Sequence, residues 1–233
     1  MDSVTETDLR SRTIRSLVWR LFEQGGSAII QLVVQVVMAR LLTPSEFGAL
    51  AIMLVFVNVG NVVVQSGLNT AIIQAPDVTD EDFDTVFWMS LAISLVLYLA
   101  VFAGAPVIGD FYGLPFLVTP LRVLVLVLVV NAYNAIQEAI VAREFDFQKT
   151  FRSTVVAAVV SGTLGVGCAL MGGGLWALVI QQLSYQVTKC LALAMQIPWK
   201  PRPAFRRGRA RTLFGFGWKL LASGVLDQLS QSI

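Results

Sequence analysis

Polar residues punctuate this chain at long intervals. Between them run six stretches of some twenty or more mostly apolar residues, at 14–42, 45–73, 83–109, 115–141, 151–171 and 174–197, and a seventh opens near Leu213. A bilayer core about 30 Å thick is crossed by about 20 apolar helical residues, which matches these runs. They are too long for barrel strands and lack sustained alternation of apolar and polar positions, so helices are expected rather than strands. The pattern predicts an all-α integral membrane protein: a six-helix transmembrane lobe over residues 1–198, a basic linker at 199–212, and the start of a second lobe, hence of a seventh helix, at 213–233. Local chemistry supports the boundaries. Thr43-Pro44-Ser45-Glu46 has the makings of a capping box, with proline at the first helical position, and Thr79-Asp80-Glu81-Asp82 is an acidic helix start. Gly172-Gly173-Gly174 offers a tight turn between the fifth and sixth runs.

The polar residues inside the runs are spaced as helical stripes. In the first run Arg20, Gln24, Ser27, Gln31 and Gln35 recur every three or four positions, with Glu23 one turn from Arg20. Asn58, Asn61, Gln65 and Asn69 form a stripe in the second, Asn131, Asn134 and Glu138 in the fourth, and Gln181, Tyr185 and Thr188 in the sixth, flanked by Gln182 and Gln186. Two readings of such stripes compete. They can be interhelical glue, at about 0.6 kcal/mol per contact on average, or they can line a hydrated cavity suited to a hydroxylated ligand such as a sugar chain. Several long stripes favour the cavity, with Arg20, Gln24, Gln31, Asn58, Asn61, Gln65, Asn131 and Asn134 as substrate-binding candidates. A charge at helix centre costs about 2.5–3.5 kcal/mol on insertion scales. Arg20 and Glu23 therefore either neutralise each other or serve function, Arg20 as the contact for a phosphate-bearing substrate. Glu23, Glu138 and Asp227 are the acids available for ion coupling. Ser161, Gly162, Gly165 and Gly167 read as small residues for close helix packing.

Composition narrows the chemistry. The chain is 56% hydrophobic and only 14% charged, so lipid is its main solvent. Histidine is absent, which removes the commonest general base and metal ligand. Cys168 and Cys190 have neither disulfide nor zinc spacing and read as packing residues. The D-x-D matches at Asp80–Asp82 and Asp82–Asp84 are accounted for by the helix start, and no P-loop or dinucleotide fingerprint is present. No catalysis, metal, cofactor or nucleic-acid partner is expected.

Lys and Arg set the orientation. Arg10, Arg12 and Arg15, then Arg143, Lys149 and Arg152, then Lys200, Arg202, Arg206, Arg207, Arg209 and Arg211 all fall on one side of the alternating helices. The other side has only Arg40 and Arg122, so a cytoplasmic N-terminus is expected, without a cleaved signal peptide. The basic segment 199–211 reads as a cytoplasmic loop near anionic headgroups.

Four ordered motifs carry a family resemblance. MARLLTPSEFG at 38–48 resembles the junction of helices one and two in bacterial Wzx-type polysaccharide flippases of the multidrug/oligosaccharidyl-lipid/polysaccharide exporter superfamily. GLNTAIIQ at 67–74, LRVLVLVLVVNAYNAIQEAIVAREFDF at 121–147 and GGLWALVIQQL at 173–183 follow in the same order, and WKPRPAFRRGRARTLFGFG at 199–217 resembles the linker into a second half. The likeness is nearest to the colanic-acid-exporter-like branch. It implies two six-helix lobes around a central cavity lined partly by cations, Arg20 being the best match, in the bacterial inner membrane. It also implies alternating-access transport of undecaprenyl-diphosphate-linked oligosaccharide for surface polysaccharide such as lipopolysaccharide or exopolysaccharide. Its expected partners are that lipid-linked oligosaccharide, membrane lipids and other polysaccharide-assembly proteins. This chain then corresponds to the N-terminal lobe of a larger transporter. A non-transporting scaffold for assembly enzymes, and drug efflux within the same superfamily, are the alternatives.

Overall fold

The computed structural model describes residues 28–65, 72, 78–144 and 146–203. Within them every regular element is a helix: α1 (Ala28–Leu41), α2 (Pro44–Gln65), α3 (Asp80–Phe111), a 3₁₀ turn (Pro115–Leu117), α4 (Val118–Leu124), α5 (Val127–Glu144), α6 (Phe147–Leu170) and α7 (Leu175–Gln196). The predicted seventh helix and Arg20, Glu23, Gln24 and Asp227 lie outside the described residues. Pro44–Val64, Glu81–Phe111, Pro115–Glu144 and Phe147–Leu170 are long and apolar enough to cross a membrane. The chain is thus a multi-pass membrane protein. α7 has the length but is interrupted by Gln181, Gln182, Gln186 and Lys189. Its polar content reflects its position inside the bundle.

The helix starts follow the local chemistry. Thr43 N–H and Oγ1 both donate to Glu46 Oε2, at 2.7 and 2.9 Å, tying the residue before α2 to its first turn. Thr79 does the same with Asp82 at the head of α3, so that helix begins at Asp80 rather than at 83. The sixth element likewise starts early, at Phe147 rather than 151.

The fourth run departs further from expectation, being broken between α4 and α5. Leu126, Leu128 and Val129 donate their N–H groups three residues back, to Val123, Val125 and Leu126, which tightens the backbone to a 3₁₀ turn. The run has valine at 123, 125, 127, 129 and 130. Branching at Cβ crowds the preceding helical turn, so propensity here resists a break only weakly.

Pro106 interrupts α3 in a different way. It has no N–H to give to the carbonyl of Phe102, four residues earlier. Arg122 of α4 supplies the missing donor: its Nε–H reaches Phe102 O at 3.2 Å, and its guanidinium carbon lies 4.4 Å from the centre of the Phe102 ring. One side chain satisfies a backbone group that lipid could not.

Two apolar cores stack along the bundle. One, near the turns at 42–43 and 171–174, joins Met38, Met53, Leu121, Leu128 and Leu178. The other, near the basic segments, joins Ile72, Phe87, Ile136, Val141, Leu193 and Ile197. Between them lies a polar belt from α2, α5 and α7. Large apolar residues such as Val96, Val107 and Leu191 face outward, as lipid requires.

α6 packs closely because it is small-sided. A Cβ at Gly162 would sit 2.6 Å from Val34 Cγ2 of α1, and one at Gly165 would sit 2.9 Å from Gln181 Cβ of α7. Those two glycines hold α1 and α7 on either side of one face of α6.

Candidate functional site

That shared face of α6 floors a polar groove of about 110 Å³. Gln31 and Gln35 come from α1, Gln181, Gln182, Tyr185 and Gln186 from α7, and Ser161 from α6. The spacing predicted these stripes; packing turned the two of them toward each other. Residues 181–186 and Ser161 lie near the middle of their helices, so the groove sits near mid-membrane. Among the described residues the five glutamine side chains make no hydrogen bond with one another or with the backbone. Each amide presents two donors and an acceptor there.

The asparagines are used differently. Asn131 is buried and donates Nδ2–H to Asn61 Oδ1 at 2.8 Å, bridging α5 and α2. Asn134, also buried, donates to the Gln186 carbonyl at 3.3 Å, and Gln137 donates to the Cys190 carbonyl at 3.3 Å, both joining α5 to α7. Gln186 therefore belongs to both regions, its carbonyl in the belt and its amide in the groove. Asn134 Oδ1 and Gln137 Oε1 are buried acceptors with no partner among the described residues. Each lone pair is desolvated without compensation unless water or ligand reaches it. Asn58 is exposed on α2 and joins neither the groove nor these bridges, and of Gln65 only the backbone is described. The predicted binding set is thus divided: Gln31 lines the groove, and Asn61, Asn131 and Asn134 make interhelical bonds.

Glu138 finds a partner the sequence reading omitted. Lys189 Nζ lies 2.6 Å from Glu138 Oε1, an ion pair between α5 and α7 one turn from the belt. The side chains are 16% and 41% exposed respectively, so the lysine is the more enclosed. The signal for Lys189 was present in the sequence. It follows Gln182 and Gln186 at helical spacing, the one basic residue inside its apolar run.

This arrangement offers hydrogen bonds along a membrane-embedded wall and a charge pair beside it. Residues 37–233 match the family described as polysaccharide biosynthesis protein. The chain belongs to that family. It is 25% identical to the succinoglycan biosynthesis transport protein ExoT of Rhizobium meliloti, over 96% of this chain and 45% of ExoT. It is 22% identical to the lipopolysaccharide biosynthesis protein WzxC of Escherichia coli, over 97% and 46%, and 24% identical to the teichuronic acid biosynthesis protein TuaB of Bacillus subtilis, over 92% and 45%. The chain spans about half the length of these curated relatives. No solved structure matches it. Membership agrees with the resemblance read from the sequence motifs, whose stretches at 38–48, 121–147 and 173–183 fall in α1 to α2, in α4 to the start of α6, and in α7.

Proposed function

We propose that this chain is one half of a flippase that carries undecaprenyl-diphosphate-linked oligosaccharide from the cytoplasmic to the outer leaflet of the bacterial inner membrane. The observation that carries the reading is the mid-membrane groove, where glutamines of α1 and α7 face each other with their amides uncommitted. Amides at that depth can replace water around sugar hydroxyls without carrying net charge. A transported ligand must leave again, and neutral hydrogen bonds suit that better than strong ion pairs. At about 110 Å³ the groove is smaller than an ordinary ligand site of about 300–1,000 Å³. It therefore serves as one wall of a larger cavity, the other wall coming from a second unit of the kind the greater length of the relatives leaves room for. Rocking of the two units about the midplane would change access.

Within this reading Arg20 and Gln24, which lie outside the described residues, contribute to binding, Arg20 by offsetting diphosphate charge. Among the described residues Glu138 is the candidate coupling acid, its charge set against that of Lys189 on α7. The protein acts on its substrate by binding and release, with no bond made or broken.

The test is leaflet exchange of a fluorescent lipid-linked oligosaccharide in proteoliposomes carrying the product of the complete gene. Gln182→Leu combined with Gln186→Leu removes two hydrogen-bonding side chains at about 0.5–1.5 kcal/mol each, so exchange should slow about tenfold. Val187→Leu, on the exposed side of the same helix, should leave it unchanged. Exchange at the wild-type rate in the double variant would sink the groove as the transport path. No exchange by the wild type would favour the scaffold reading.

A further inference from the structure

The basic end of the bundle holds a cavity of about 520 Å³, well apart from the glutamine groove. Its floor is apolar, from Phe83 of α3, Ile140 of α5 and Ile197 after α7. Its rim is cationic, with Arg143 from the end of α5 and Lys200 and Arg202 from the segment that follows α7. Lys200 and Arg202 are brought there by backbone and ring contacts that do not depend on their own charge. The Arg202 N–H donates to Asp84 Oδ1 at 3.1 Å, and the Arg202 carbonyl accepts from Trp88 Nε1 at 2.9 Å. Trp199 packs against Phe87 and Tyr133, with ring centres 5.9 and 5.8 Å away. Arg143 is aligned by donating Nη1–H to the Ile72 carbonyl at 2.9 Å.

Among the described residues the two carboxylates that line this cavity are engaged. Asp84 is 1% exposed and takes the Arg202 N–H, and Glu144 lies 3.0 Å from Lys149 Nζ. Lys200 and Arg202 thus stand over an apolar floor at one mouth, with Arg143 beside them. Depth agrees with a lipid ligand. α3 has 32 residues, about 48 Å, and exceeds a core of about 30 Å, which puts Phe83 and Asp84 at the membrane surface.

We propose that this cavity binds a phosphate-bearing lipid headgroup, with Arg143, Lys200 and Arg202 around the phosphate and the first carbons of the chains over Phe83 and Ile140. Guanidinium groups fit phosphate oxygens in a fork that ammonium alone cannot provide, and an apolar floor fits an amphiphile rather than a fully hydrated ion. Basic pockets between helix ends are where anionic headgroups are held. The segment after α7 is then seated by lipid as well as by Asp84 and Trp88. The site is independent of the transport reading, because it lies outside the groove and its test reads binding alone.

The chain, purified in detergent, is titrated with phosphatidylglycerol and with phosphatidylcholine, and bound lipid is counted by native mass spectrometry. Phosphatidylglycerol should bind at least tenfold tighter. Each basic side chain near an anionic headgroup is worth about fivefold in affinity, so Lys200→Ala with Arg202→Ala should weaken phosphatidylglycerol on the order of twentyfold and leave phosphatidylcholine unchanged. Residue 202 holds its segment through backbone atoms, which the variant retains. Should the double variant melt early, Lys200→Gln alone, at an exposed position, should still show about a fivefold loss. Equal affinity for the two lipids, or a variant that binds phosphatidylglycerol like wild type, overturns the proposal. Displacement of phosphatidylglycerol by excess inorganic phosphate would assign the site to the free ion and overturn it equally.

Discussion

Asn131 and Gln182 carry the same amide at similar depth, yet one bridges two helices and the other lines a groove. The difference lies in what faces each: Asn61 stands within reach of Asn131, whereas Gln182 faces Gln31 and Gln35 across open space. Spacing along a helix tells which residues share a face but not which neighbour that face meets. The Glu138–Lys189 pair shows the same limit, since its members are 51 positions apart. Removing Glu138 takes a close counter-charge from the more enclosed Lys189, while replacing both by apolar residues removes charge and counter-charge together. Glu138→Leu alone should lower stability by about 2 kcal/mol, less than a fully buried pair would lose because Glu138 is 41% exposed. Glu138→Leu with Lys189→Leu should recover most of that loss. Reversible unfolding in mixed detergent micelles measures both, and equal losses in single and double variants would show that the pair is not coupled.

At the scale of the helix, defects are repaired by neighbours. Pro106 would leave the Phe102 carbonyl exposed to lipid, and Arg122 covers it from the next helix. By charge alone Arg122 counts only toward one membrane side; its link to the proline sixteen residues earlier exists only in the packed helices. A hydrogen bond to a charged donor contributes about 1.5–3 kcal/mol. Arg122→Ala should therefore destabilise by about 2 kcal/mol in the natural background. In a Pro106→Ala background, where residue 106 can give its own N–H to Phe102, the same change should cost under about 1 kcal/mol. The two variants should thus be strongly non-additive in unfolding experiments, and additivity would refute the repair. The broken fourth run teaches a related lesson. Hydropathy counts 115–144 as one span, yet local valine content and packing against two neighbouring helices settle where the backbone tightens.

For the whole molecule, orientation is the testable consequence. The described basic residues at 143, 149, 152, 200 and 202 cluster at the end opposite the turns at 42–43 and 171–174, where Glu46 meets Gly174. Lys and Arg stay cytoplasmic, so that end should face inward. With Cys168 and Cys190 replaced by alanine, single cysteines at Gln148 and Lys200 should react with a membrane-impermeant maleimide only after the cells are opened. Cysteines at Gly113 and Gly172 should react in intact spheroplasts. The reverse pattern would invert the proposed transport direction.

The all-helical class, membrane residence and family membership were legible in the sequence itself, because run length against bilayer thickness and residue order along a motif are properties of the chain alone, whereas the break of the fourth run into α4 and α5 was not. Capping at Thr43 and Thr79 was equally legible, since donor and acceptor lie within one helical turn. Only the tertiary structure decided which polar stripes are satisfied and which remain open. That depends on the rotation of each helix about its axis, and here the rotation is set by the close approach of α1 and α7 to Gly162 and Gly165. The groove is what remains when those contacts are made and five glutamines are left facing one another.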